Sequence, residues 1–290
     1  MKNLPAAPGV YRFRDAGGRV LYVGRATHLR SRVASYWGDL RDRRHLRRMV
    51  PQVARVEAVA CDSVHEAAWL ERNLLERSKP RWNRIRGGME APFCIRMSPS
   101  KIELVHWRPG VVADFGPYLG GTQARLAVSG LERVLPLRYT GDRLDGGLRD
   151  LARLRGVRPE DRDAISARLT AVLRREVAAL SHVRDELARW RDRASANTAF
   201  ELAGRIQQEI EAVEWIVAEQ KVTMLTPGSD AEIYGYADGV LVKFQVRAGR
   251  LDRWEQRACA PAAAKRFLAR TPPEWSEFAA RNAELARSLN

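Results

Sequence analysis

Two short apolar runs, PGVYRF at 8–13 and RVLYVG at 19–24, flank the tetrapeptide Asp15-Ala16-Gly17-Gly18. Strand-forming residues on both sides of a glycine pair dictate an antiparallel hairpin, with Tyr11 on its first strand and Tyr22 on its second. Beyond Gly24 the chain reads as a basic helix from about Thr27 to Tyr36. Arg25, Leu29, Arg32 and Tyr36 follow one another at intervals of four, three and four residues, which is one helical face. Such a stripe usually turns apolar residues inward. Here it is half cationic and ends in a phenol, so it is either a solvated edge or an anion-binding surface.

The segment VARVEAVAC at 53–61 supplies a third strand. In the following helix Ser63 and Glu66 are spaced as a capping box, and Pro80 ends it. This makes a compact α+β unit of about a hundred residues, the commonest domain size. Short strands and the turn FGPYLGG mark 93–140. Long charged helical stretches from Pro159 to Val222, broken near Ser195–Thr198, predict two antiparallel helices. After a TPGSD linker, IYGYADGVLVKFQVRAGRL predicts a hairpin about Asp238-Gly239, followed by a C-terminal helix. The expected domains are 1–98, 99–158, 159–225 and 226–290.

The chain has 290 residues and a formal charge of +15, nearly all of its basic residues being arginine. Arginine usage reflects base composition in part, but an excess of positive over negative charge calls for a polyanionic partner. Arginine also makes bidentate contacts with phosphate. Arg41, Arg43, Arg44, Arg47 and Arg48 crowd into eight residues, a candidate surface for tracking a DNA backbone. The N-terminus lacks an apolar signal core, and no run is long enough to span a bilayer. Cys61, Cys94 and Cys259 are too scattered for a disulfide framework or a metal motif, so a reduced, cytoplasmic protein is expected.

PGVYRF with LYVGRA, then Arg32, SYW and EAAWLERNLLERSKPRWN at 66–83, resemble the GIY-YIG nucleases, and the last stretch resembles the N-terminal nuclease half of UvrC. FGPYLGG and LERVLPLR at 115–138 are similar to the UvrC segment that follows. Several elements in the right order and spacing are a specific signal. The resemblance implies an α+β fold: a GIY-YIG domain with a small mixed or antiparallel sheet and flanking helices, then a helical hairpin and a small C-terminal α/β module. It also implies a phosphodiester hydrolase.

Phosphodiester hydrolysis needs an activated water, neutralised charge at phosphorus and a stabilised leaving oxygen. By resemblance Glu71 is the ligand of Mg²⁺ or Mn²⁺, Tyr22 the general base and Tyr11 its companion. Arg32 clamps the scissile phosphate, Tyr36 positions water or substrate, and Asn83 closes the domain. A phenol with a pKa near 10 is a weak base at neutral pH. Cations such as Arg25 and Arg32 are expected to lower it.

The sequence departs from UvrC in several places. Arg25 stands where lysine is usual, and RGGMEAP at 86–92 replaces an acidic loop. The cysteine-rich stretch is missing, so no iron–sulfur cluster is expected. AFELAGRIQQEI at 199–210 resembles the UvrB-binding hairpin but carries Gln207-Gln208 in place of Arg-Asp. A helix-in-groove contact with UvrB and a purely structural hairpin are both compatible with it. UvrA would act indirectly. The chain ends before a second nuclease or helix-hairpin-helix module, as in the short Cho type. The implied activity is one 3′-side incision in nucleotide excision repair. A catalytically weak DNA-binding accessory protein and a nuclease for branched DNA are the alternatives.

Overall fold

The structure, a computed structural model, describes residues 3–38, 41–87, 90–108, 110–226 and 228–290, the side chains at 41–43 excepted. The chain forms two compact units, Met1–Met89 with Glu219–Asn290, and Glu90–Ala218. These lines differ from the four-segment division. The C-terminal segment belongs to the unit that carries the N-terminal hairpin, because its helix and sheet bury apolar surface there.

In the first unit, β1 (Gly9–Arg14), β2 (Val20–Ala26) and β3 (Arg55–Ala60) form an antiparallel sheet in the order β2-β1-β3. Tyr11 pairs with Gly24 across the hairpin, and Gly18 takes the positive φ that its turn requires. Helix α1 is short (Leu29–Ala34) and tightens into a 3-10 turn at Ser35–Trp37, so the basic stripe covers less helix than its spacing predicts. Helix α2 (Val64–Arg77) begins as expected. The Ser63 hydroxyl accepts from Glu66 N at 2.9 Å, while Glu66 reaches back to Asp62 N at 2.8 Å.

The rest of this unit is a meander. Strands β7 (Ala231–Ala237), β8 (Val240–Arg247) and β9 (Arg250–Ala258) pair in sequence order. Asp238-Gly239 and Ala248-Gly249, all with positive φ, make the two tight turns. Helix α9 (Ser276–Leu289) lies on β7, and a Cβ at Gly235 would sit 2.0 Å from Ala279 O, so only glycine permits this approach. The same helix reaches β3. Asn282 accepts from Ala60 N at 2.7 Å and donates to Ala60 O at 3.1 Å. On β1, Arg12 is buried, pairs with Glu57, donates to Trp254 O at 2.6 Å and stacks 3.8 Å above the Trp254 ring.

In the second unit, β4 (Pro92–Ser98), β5 (Lys101–His106) and β6 (Phe115–Leu119) form a sheet in the order β5-β4-β6, followed by α3 (Gly121–Val134). Then come α4 (Gly146–Leu154) and α5 (Arg162–Leu173). Two longer helices, α6 (Val177–Ala196) and α7 (Phe200–Ile216), form a hairpin that breaks at Asn197–Ala199, where Thr198 has positive φ. Residues 159–222 thus hold three α-helices rather than two, because Arg175 at positive φ ends α5 before α6 begins. Apolar residues of β4, β5, α3 and α5–α7 make one core.

Candidate active site

The two hairpin strands and the turn after α1 bring three phenols together. Tyr11 and Tyr36 share a buried hydrogen bond of 2.7 Å, and the Tyr22 ring lies 6.3 Å from Tyr11 and 5.9 Å from Tyr36. Phe13 braces the group, with its ring 4.9 Å from Tyr36 in an edge contact. Gly24 makes room for it. A Cβ there would lie 2.5 Å from Tyr11 Oη and 2.8 Å from Tyr22 Cε1. Arg32 stands at the same place, its guanidinium carbon 5.8 Å from the Tyr36 ring centre.

The electrostatics of the phenols run opposite to the expectation from sequence. Burial raises the pKa of Tyr11, Tyr22 and Tyr36 well above the usual phenol value. Arg32 pulls all three downward, but desolvation and mutual repulsion outweigh it. Arg25 is engaged with Glu71. The Arg25 backbone N–H donates to Glu71 Oε1 at 3.1 Å, and its Nε lies 3.5 Å from Oε2. The cluster is therefore a set of neutral phenols at neutral pH.

Glu71 sits on α2, its side chain 22% exposed. Among the described residues there is no group of three or more His, Cys, Asp or Glu that could cage a metal. One partly open carboxylate still fits Mg²⁺, which keeps most of its waters and takes few protein ligands.

Asn83 is buried and turned toward β2. It accepts from Val23 N at 3.0 Å and donates to Val23 O at 2.8 Å, while Trp82 N donates to Leu21 O at 3.1 Å. This segment pairs with the outer edge of β2, so Asn83 acts on the site by holding the strand that carries Tyr22 and Gly24. Sequence reasoning missed the matching device on the other edge, where Asn282 holds β3, and no local pattern could have pointed to it. Of the arginine cluster, Arg44, Arg47 and Arg48 are exposed, whereas the side chains of Arg41 and Arg43 lie outside the described residues. The 86–92 loop lies partly outside them as well.

With this geometry in hand, comparison with known proteins decides the type of domain. Residues 7–84 match the UvrC-like GIY-YIG domain. The first part of the chain is a UvrC-like GIY-YIG nuclease domain. Over 275 residues the chain is 34% identical to the UvrABC system protein C of Geobacter metallireducens, covering 87% of this chain and 44% of that protein. It is 30% identical over 272 residues to the same protein of Synechococcus elongatus. The chain thus spans less than half the length of these curated relatives. Among solved structures it is similar to the N-terminal GIY-YIG endonuclease domain of UvrC from Thermotoga maritima, which was crystallised with magnesium. That likeness has 30% identity and a TM-score of 0.26, covering 28% of this chain and 88% of that one. No helix among the described residues is long and apolar enough to cross a membrane.

Proposed function

We propose that this protein is a Mg²⁺- or Mn²⁺-dependent DNA endonuclease that makes a single, 3′-side incision in nucleotide excision repair. The observation that carries this is the pairing of one partly open carboxylate, Glu71, with a phenol cluster and Arg32 on adjoining elements. Glu71 would hold the cation, which neutralises charge on the phosphate. Arg25 fixes the carboxylate through its backbone N–H and its guanidinium. Arg32 binds the non-bridging phosphate oxygens. Tyr22, neutral at rest, orients the attacking water through its phenolic oxygen, and Tyr11 and Tyr36 hold one another and the water in register. Asn83 sets the position of β2.

Arg44, Arg47 and Arg48 supply exposed charge for the DNA backbone. The partner reading, DNA with UvrB docking on 159–225 and UvrA acting through it, is supported by the start of α7, where Phe200 is 67% and Leu202 45% exposed.

The test is nicking of a lesion-bearing duplex with Mg²⁺, with and without UvrA and UvrB, comparing wild type with Glu71→Ala. A 3′-side nick that needs the loaders and is lost in the variant supports the reading in full. A nick independent of the loaders would favour a nuclease for branched DNA. Salt-sensitive binding with no nick under any condition would favour an accessory binder.

A further inference from the structure

Within the second unit, α3 and the 3-10 turn at Leu137–Thr140 enclose a cavity of about 280 Å³. Its lining is dominated by Arg125, Arg133, Arg138 and Arg155, with Tyr139 at its wall. Two carboxylates answer part of this charge. Glu132, also in the lining, pairs with Arg138. Buried Glu209 takes Arg133 in a two-point contact, with Nε at 2.6 Å and Nη2 at 3.0 Å, and accepts from Ser129 Oγ at 2.7 Å.

Arg125 and Arg155 are different. Both are exposed, and among the described residues neither has a carboxylate partner. Arg155 is held by aromatic faces instead, 5.2 Å over Tyr139 and 5.7 Å over Trp190, and its Nη1 donates to Arg133 O at 3.3 Å. Arg125 lies 5.9 Å from the Phe93 ring centre. Stacking fixes a guanidinium while leaving its N–H edge for an acceptor. Two carboxylate-paired arginines, Arg133 and the exposed Arg138, and two stacked ones, Arg125 and Arg155, line one site for a doubly accepting anion.

We infer that this cavity binds a phosphodiester of the DNA strand, as a backbone-anchoring site separate from the nuclease site. The inference rests on the DNA-nuclease reading for the identity of the polyanion. Arg125 and Arg155 both line the cavity with N–H edges from which phosphate oxygens can accept, and the open mouth admits a continuous strand. Such a contact adds affinity and orientation without sequence readout.

The experiment uses the full chain and fluorescence anisotropy with a lesion-bearing duplex across a salt series. The Arg125→Gln/Arg155→Gln double variant is compared with wild type and with Arg168→Gln/Arg174→Gln. The latter removes the same charge from exposed positions on and just after α5. Loss of this one phosphate contact lowers the slope of log affinity against log salt by about 1, with affinity down on the order of tenfold. Thermal unfolding confirms that each variant is folded.

A slope equal to wild type, or a loss matched by the α5 variant, overturns the inference. Saturable binding of inorganic phosphate to wild type with an unchanged DNA slope in the double variant also overturns it, leaving an anion site only. So does binding of an acidic peptide that the double variant loses while its DNA slope stays at the wild-type value. Glu71→Ala, which should bind DNA like wild type and not nick, separates the two readings. If wild type binds no DNA, both fall. If binding is strong but indifferent to the cavity, only this inference falls.

Discussion

Tyr11 and Tyr36 lie 25 residues apart and share a buried hydrogen bond of 2.7 Å, which locks β1 to the turn after α1. Removing one phenol leaves the other without this partner. Tyr11→Phe should cost about 1 kcal/mol of stability, read by urea unfolding, while keeping the ring packing against Phe13. The same variant should lower the nicking rate at saturating DNA far more than that small loss of stability implies. A variant that nicks at the wild-type rate would remove the phenol pair from the mechanism.

Glu71→Gln tests charge rather than shape. The amide keeps an oxygen to accept from Arg25 N, so the fold should stay within about 1 kcal/mol of wild type. Nicking should fall at least about a hundredfold, the scale of losing one key electrostatic group. Magnesium binding followed by titration calorimetry should weaken in parallel. Unchanged magnesium affinity would place the cation elsewhere.

Gly24→Ala should disturb the site without removing a polar atom. The new methyl would meet Tyr11 Oη at 2.5 Å and Tyr22 Cε1 at 2.8 Å, so a ring must move. Overpacking of this kind costs about 1–3 kcal/mol. Activity should fall with it, and a structure of the variant should show Tyr11 or Tyr22 displaced. Both rings unmoved would contradict the close packing described here.

The pH dependence follows from the three phenols. Each is raised above its unfolded value of 10.0, chiefly by burial. Their contribution to stability is therefore fully present below pH 10 and is lost as pH rises through the higher folded values. Melting temperature should change little from this source between about pH 7 and 9 and then drop. Ultraviolet titration should show these phenols ionising above the 10.0 of an unfolded tyrosine. A phenol of this cluster titrating below 10 would overturn the assignment.

Glu57 and Arg12 form a buried pair between β3 and β1, under the C-terminal sheet. Burial lowers the Arg12 pKa to about 10, and Glu57 works against that loss. Glu57→Gln would leave the guanidinium buried and uncompensated, at about 3–5 kcal/mol by chemical denaturation. Arg12→Met with Glu57→Leu should recover most of the loss. A double variant no more stable than Glu57→Gln would show that the pair specifies this packing in a way apolar residues cannot replace.

Much of the first unit was legible in the chain because its signals are local. The glycine-pair turn set the hairpin, Ser63 and Glu66 set the start of α2, and Asp238-Gly239 set a hairpin in the tail. The residues of the site are also close in the chain order, with Tyr11 and Tyr22 on the paired strands β1 and β2, Tyr36 just after α1 and Glu71 on α2.

Other features depend on surroundings that no local pattern carries. That Arg25 meets Glu71 was not legible in the chain, because strand twist and helix placement decide which neighbour its guanidinium meets. The phenol pKa values rose because burial is a property of the whole packed unit.

Turn chemistry and periodicity act over a few residues, and they were enough to set the hairpin, the start of α2 and the order of the candidate site residues. Tertiary structure alone decided that residues 219–290 complete the N-terminal unit, with Asn282 bound to Ala60 across 222 positions and Arg12 stacked on Trp254 across 242. The physical reason is that a sheet edge and a buried charge can be satisfied by any segment that folds back to them. Which segment does so is settled by the global packing of apolar surface.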